Sequence, residues 1–401
     1  MISTKRITGT TGQLGRRVGM ATAAAMLVVP VALGAVTGQS GAASLQKGSS
    51  VVEASRVNAH ATSGVAAATA LIKNSTGIPK FVAPGPKLNP ASLKGKTVYS
   101  ILLATSIPFC NDFGQTVTKA AAGLGMKSVV WPNSGQLSQW VQGFNRAIAA
   151  HAALINVGCG IDAAALAPQI AAAKKAGIPV VTAHSYDASQ KVPASVSASE
   201  YAPFKMVGEL EAAWTIKATK GAADVLVVED VANDAATPAV LAGMRLVFAQ
   251  DCSTCKVVYK DVPSSSWGTQ IGPVVSAALS SDPKLNYIIP IWDGMVGFVL
   301  PALTAHNATG VKIATFNGTP SVLDEMRTGN VVAFDCAENF PWIGRAILDQ
   351  DMRVLLHMAP GNPEFAPLQA WTKANVSAAG TPASFSNGYG TVAQKGFAKL
   401  W

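Results

Sequence analysis

From Lys96 onward the chain alternates between short β-branched runs and amphipathic helical stretches. The runs are "TVYSILLA", "SVVW", "ALINV", "IPVVTAH", "DVLVVED", "KVVYKDV", "NYIIPI", "VKIATF" and "VVAFDC". Between them lie segments such as "DFGQTVTKAAAGL", whose Phe113, Val117, Ala121 and Leu124 recur at helical spacing. Strict alternation of this kind leaves few architectures open. Parallel strands need long crossovers, and the crossover helices then cover both faces of the sheet. The alternation comes in two blocks, one ending near Ser199 and one running from Glu200 to Glu338, after which the helix "PWIGRAILDQDMRVLLHM" follows. The expected fold class is therefore α/β, with two doubly wound parallel-sheet lobes and a three-segment hinge between them. Crossings near Ser199–Glu200, Glu338–Asn339 and after Met358 assign 96–199 and 339–365 to the N-terminal lobe and 200–338 and 366–401 to the C-terminal lobe.

Residues 1–43 read as an export signal. Lys5, Arg6, Arg16 and Arg17 appear there without any acid, the apolar stretch "MATAAAMLVVPVALGAV" follows, and small residues in "SGAAS" offer cleavage near Ala42 or Ala43. The arginine pair leaves the general and twin-arginine routes both open, and an uncleaved apolar stretch would serve as a membrane anchor. No cysteine precedes Cys110, so there is no lipoprotein anchor site. Residues 44–95 form an Ala/Ser/Pro-rich linker with one helix, about Val51 to Lys73, and the extended tract "IPKFVAPGPKLNP". The formal charge is +9, of which four charges belong to the leader, and the remainder is scattered. Scattered charge reads as a solvated surface and not as a nucleic-acid stripe.

Sequence motifs for chemistry fail on context. "GCGIDA" (Gly158, Gly160, Ala163) mimics a dinucleotide turn, but it does not follow the first strand, and His184-Ser185 stands where a ribose-binding acid belongs. "GKT" at Gly95–Thr97 precedes a strand, with Pro90 at the position of the first P-loop glycine. No G-x-S-x-G, no H-E-x-x-H and no metal-spaced histidine pair occurs. No catalytic residue, cofactor or metal site is expected, and the chain does not read as an enzyme.

What the strand ends do carry is rings and hydrogen-bonding side chains. The first block gives Phe109 and Asn111 after Pro108, and then His184. The second gives Asn233-Asp234, Trp267, Trp292-Asp293, Asn317 and Glu338. Ligands of open α/β sheets bind beyond the carboxyl ends of the strands. Rings on the faces of a small polar ligand, with amides and carboxylates at its edges, suit carbohydrate capture.

On "IPFCNDFGQTVTKAAAGLGM", "IPIWDGMVGFVLPAL" and "IATFNGTPSVLDEMRTGNVVAFDCAENFPWIG", the chain from Lys96 to about Met358 resembles the type I periplasmic binding proteins, the ribose-binding-like solute receptors of ABC transporters. The resemblance puts Phe109 on a sugar face and matches Trp267, Trp292-Asp293, Asn317 and Glu338 to family ligand positions. It implies hinge closure on a carbohydrate-like ligand, a membrane ABC permease as partner, a monomer, no nucleic acid, and a periplasmic or extracellular, cell-surface-associated location. A sensor subunit presenting its ligand to a membrane receptor would read the same. A transcription regulator of this fold would need a helix-turn-helix where the leader stands. Two family arginines are replaced, one by His184-Ser185 and one near Thr237-Pro238. These departures point away from ribose and toward a larger sugar, a polyol, a nucleoside or an aromatic solute.

In an exported chain the cysteines change meaning. Cys252 and Cys255 in "DCSTCK" suggest a small local disulfide or a turn staple. Cys110 and Cys159 end strands on one edge of one sheet and are the expected second pair. An odd total leaves at least one cysteine free, with Cys336 the remainder.

Overall fold

Each of the nine β-branched runs forms a strand in the computed structural model, which describes residues 62–231, 234–360 and 366–401. The leader and the first part of the expected N-terminal helix lie outside the described residues. In the first lobe, β1 (Thr97–Leu102), β2 (Lys127–Val130), β3 (Leu154–Gly158), β4 (Val180–Ala183) and β5 (Ala198–Glu200) form a sheet in the order β2-β1-β3-β4-β5. Every pairing in it is parallel. In the second lobe, β6 (Asp224–Glu229), β7 (Lys256–Asp261), β8 (Tyr287–Pro290), β9 (Lys312–Phe316), β10 (Val332–Ala337) and β11 (Gln369–Thr372) are ordered β11-β10-β9-β8-β6-β7. Only β11 runs antiparallel to its neighbour. Central strands such as β1 and β8 are buried on both faces, which is why their sequences run nearly continuously apolar.

Helices cover both sheets. They are α1 (residues 62–74), α2 (Pro108–Gly123), α3 (Leu137–Ala149), α4 (Ala167–Lys175), α5 (Phe204–Thr219), α6 (Thr237–Asp251), α7 (Trp267–Ser281), α8 (Val296–Ala305), α9 (Pro320–Thr328), α10 (Phe340–Leu355) and α11 (Val392–Phe397). Among the described residues no helix is long and apolar enough to cross a membrane. Helices α5 and α6 approach closely because Gly208 and Gly243 face them. A Cβ on either would stand 1.8 Å from Val240 O or 1.9 Å from Lys205 O.

Two segments depart from the expected lobe boundaries. The closing residues do not stay with the C-terminal lobe. Phe397 and Leu400 are buried with Phe113, Phe340 and Ile343 in the first lobe's core, and Trp401 Nε1 donates to Asp349 Oδ1 at 2.7 Å. The tract expected as a linker is part of the folded body. Ala68 and Ile72 of α1 are buried in the second lobe's core, and Ala370 N donates to Ser75 O at 2.8 Å. The chain then runs to the first lobe, where the Phe81 ring lies 5.0 Å from Phe397 and Leu88 N donates to Leu400 O at 2.9 Å. Regularly placed apolar side chains anchor a tract whose composition alone suggests a spacer. The lobes are thus joined by the three expected crossings and by two further passes, one at each end of the described chain.

In each sheet the order reverses beside one strand. β1 lies between β2 and β3, and β6 lies between β7 and β8. Connections leaving such a strand and its neighbour go to opposite faces, which opens a crevice at their carboxyl ends. The two crevices face each other.

Candidate ligand-binding site

A cavity of about 200 Å³ lies between these strand ends. The first lobe supplies Leu103, Ile107, Pro108, Phe109 and Cys110 after β1, Cys159 and Gly160 after β3, and His184 after β4. Pro108 occupies the first turn of α2, and Ile107, in extended conformation, is the N-cap. Proline's fixed φ suits that position, where its missing N–H leaves no gap. "PFCN" is therefore the first helical turn and not a loop. Phe109 and Cys110 face inward and are buried, whereas Asn111 faces solvent and its Nδ2 donates to Asp112 Oδ1 at 3.4 Å. Asn111 does not line the cavity, contrary to the sequence expectation.

His184 has φ 53°, a left-handed conformation that turns its ring beneath the cavity. Its Nε2 lies 2.6 Å from Glu338 Oε2, and its backbone N–H donates to Glu200 Oε2 at 2.9 Å. Glu338 is thus engaged behind the ring and is not on the cavity wall, so its expected ligand contact is replaced by this pairing. Burial, then the charge of Glu338, holds the Glu200 carboxyl well above the usual range. Around His184 stand Phe109 at 5.5 Å, Phe204 at 5.0 Å and Phe316 at 6.4 Å between ring centroids.

The second lobe brings Asp230 and Asp234 after β6, Trp267 at the start of α7, Trp292-Asp293 after β8, and Asn317 and Thr319 after β9. Trp267 Nε1 donates to Val262 O at 3.1 Å, which fixes its ring edge. Asp293 accepts from Thr319 N at 2.6 Å and Thr319 Oγ1 at 2.7 Å, and the Asn317 side chain also bonds to it. Asp234 accepts from Ala236 N at 2.8 Å and Thr237 Oγ1 at 3.3 Å, at the start of α6. Burial outweighs these bonds and pushes both carboxyls up to about 7. Burial, with the Asp234 charge beside it, pushes Asp230 up to about 8. Asp230 Oδ1 and Trp292 Nε1 have no hydrogen-bond partner among the described residues.

Across the mouth the lobes touch through their backbones. Asp234 and Ile161 form an isolated antiparallel bridge, and Ala235 N donates to Gly160 O at 2.9 Å. Gly160 has φ 98°, and a Cβ there would stand 3.2 Å from Asp234 Oδ1. The glycine that imitated a dinucleotide turn is required by this contact. Cys110 and Cys159 are joined, with S–S 1.98 Å, and form part of the cavity wall. Cys252 and Cys255 form the second disulfide, and Cys336, within β10, is free and buried.

Of the residues singled out by sequence, Phe109, His184, Trp267, Trp292, Asp293 and Asn317 meet on this wall. Asn233 lies outside the described residues. Sequence reasoning missed Asp230, Phe204 and Thr319. Asp230 directly follows β6, so the strand-end rule could have named it; Phe204 opens the helix after a lobe crossing and carries no local signal.

With fold and cavity in place, comparison with known proteins gives the class. The chain matches the periplasmic binding protein domain over residues 98–355, more than half its length, and belongs to the type I periplasmic binding protein family. Among curated proteins none matches it. A solved ABC transporter solute-binding protein from Mycobacterium smegmatis, with bound glycerol, superposes at TM-score 0.63 and 17% identity, over 72% of this chain and 99% of that one. One from Agrobacterium vitis, with bound allitol, gives 0.61 and 20% over 71% and 98%. One from Actinobacillus succinogenes, with bound D-allose, gives 0.61 and 18% over 70% and 99%. At such identities the likeness is one of fold.

Proposed function

We propose that this protein is the extracytoplasmic solute-binding subunit of an ABC importer, which captures a small sugar or sugar-like compound between its lobes and delivers it to a membrane permease. The observation that carries the reading is the cavity itself, enclosed jointly by strand ends of both sheets with rings on its faces and carboxyls at its edges. Family membership supports a location outside the cytoplasm, and the sugar and polyol ligands of the three solved neighbours support the ligand class. Each lobe holds half of the site, so ligand favours the closed arrangement and the permease reads that shape. Binding and closure need no bond to be made or broken, and the protein acts as a monomer without a cofactor.

A thermal-shift screen of sugars, polyols, nucleosides and small aromatics, followed by calorimetry, tests the reading. Trp267→Ala is expected to weaken the best hit at least about tenfold, ~1.4 kcal/mol. Unchanged affinity would remove the cavity from the account, and turnover of the hit would overturn the transport role.

A further inference from the structure

We infer that the solute selected by this cavity carries a protonated amine, set against Asp230, on a ring with few hydroxyls. This rests on the reading that the inter-lobe cavity captures the solute. The wall carries three carboxyls, those of Asp230, Asp234 and Asp293, and neither lysine nor arginine. Most of its polar groups are already engaged. Asp234 is held by the first residues of α6 and Asp293 by Thr319, while the Trp267 N–H is spent on Val262 O. His184 is taken by Glu338.

Among the described residues two buried groups remain open. One is Asp230 Oδ1, in a side chain 1% exposed, and the other is the Nε1–H of Trp292, 9% exposed. The Asp230 carboxyl does receive the Ser264 backbone N–H and hydroxyl, but among the described residues no lysine or arginine is paired with it. The orphans are one carboxyl oxygen, which burial and Asp234 bias toward the protonated form until a cation is set against it, and one neutral donor, in a wall that beside Asn317, Thr319 and Ser321 is mostly rings, aliphatic side chains and a disulfide. A ring with hydroxyls around its whole edge would bury several of them against that wall without partners, which costs their hydration and returns nothing. A single ammonium at Asp230 instead supplies the positive charge that the protein does not, and the surrounding indole and phenyl faces attract it as well. One oxygen on the same ring then accepts from Trp292. The pattern is that of an amino-deoxy sugar or a similar amino alcohol, not a free hexose.

Calorimetry at pH 7 on the whole protein with two matched pairs tests this: trans-2-aminocyclohexanol against trans-cyclohexane-1,2-diol, and glucosamine against glucose. The amine of each pair is expected to bind at least about tenfold tighter. Asp230→Asn, near-isosteric and uncharged, should abolish that preference, with an unchanged thermal melt as the check on folding. Trp267→Ala should weaken every binder. Diol or glucose binding as tightly as its amine, and weakened by Trp267→Ala, overturns the amine inference and leaves solute capture standing. Amine binding that ignores Trp267→Ala overturns capture in this cavity. No binding by either amine overturns the inference.

Discussion

Buried carboxyls set the chain's response to pH. Glu211 on α5 is wholly buried and neither of its oxygens has a partner among the described residues; burial, then the Asp335 charge, drives it well above the usual carboxylate range. Asp335 is raised by burial and by Asp293, and burial pushes Asp351 up to about 8 although Asn156 Nδ2 donates to it at 2.8 Å. Within α10, Arg353 Nε lies 2.6 Å from Asp349 Oδ2 in a fully buried pair one turn apart. An acid whose folded pKa is raised keeps its proton when the unfolded chain has lost its own. Folding then takes up protons, and stability falls as pH rises from the unfolded value near 4 to the folded one near 8. The melting temperature should accordingly be higher at pH 5 than at pH 8.5. Glu211→Gln, which removes one such charge without changing shape, should raise the melting temperature at pH 8.5 and leave it nearly unchanged at pH 5. Equal melting temperatures for the parent protein at the two pH values would contradict the account. Burial of Glu211 carries no local sequence signal; it follows from α5 packing against α6 and the sheet strands β9 and β10.

At the scale of elements, the strand and helix order followed from local pattern, because parallel strands buried on both faces need β-branched runs and amphipathic crossovers. What escaped was short or positional. β5 and β11 have three and four residues, "ASE" and "QAWT", and owe their pairing to neighbours and not to their own composition. Helix α2 starts four residues before the segment "DFGQTVTKAAAGL", because Pro108–Asn111 forms its first turn, and Asn111 then faces solvent. The Cys110–Cys159 disulfide ties that turn to the end of β3 across a separation of 49 residues. A loop of that length restricts the unfolded chain by about 4 kcal/mol in the chain-entropy account. Replacing both cysteines by serine should therefore lower the melting temperature clearly. It should also weaken ligand binding, since both cysteines line the cavity. Removing Cys252–Cys255, whose separation is 3, should cost much less in a parallel melt. A similar loss for the two double variants would assign the first bridge no special part. Helix α10 offers a smaller test. Asn339 caps it by accepting from Trp342 N at 3.1 Å and also donates to Phe385 O at 3.2 Å, so Asn339→Ala should cost about 1 kcal/mol in denaturant unfolding.

For the whole molecule, the question is what holds the lobes together around a solute. The hinge was partly legible, since three crossings fall where the block boundaries put them; the passes at 75–89 and 373–391 were not, because each depends on distant apolar partners. The mouth is closed mainly by backbone groups of Gly160, Ile161, Asp234 and Ala235. Side chains add to them, Gln190 among them. Gln190, in the loop after β4, accepts from Asp187 N through Oε1 at 2.7 Å and donates through Nε2 to Ala235 O at 2.6 Å. It spans the lobes without touching the cavity wall. A net hydrogen bond of about 0.5–1.5 kcal/mol that exists only when the lobes meet shifts the closed population by that amount. Gln190→Ala should therefore weaken solute binding about three- to tenfold, mostly through faster release, and leave the ranking of different solutes intact. Small-angle scattering at half-saturating solute should show a larger mean radius of gyration than the parent protein under the same conditions. A changed solute ranking would place Gln190 in recognition, and unchanged affinity with unchanged scattering would mean that the remaining contacts alone close the cleft.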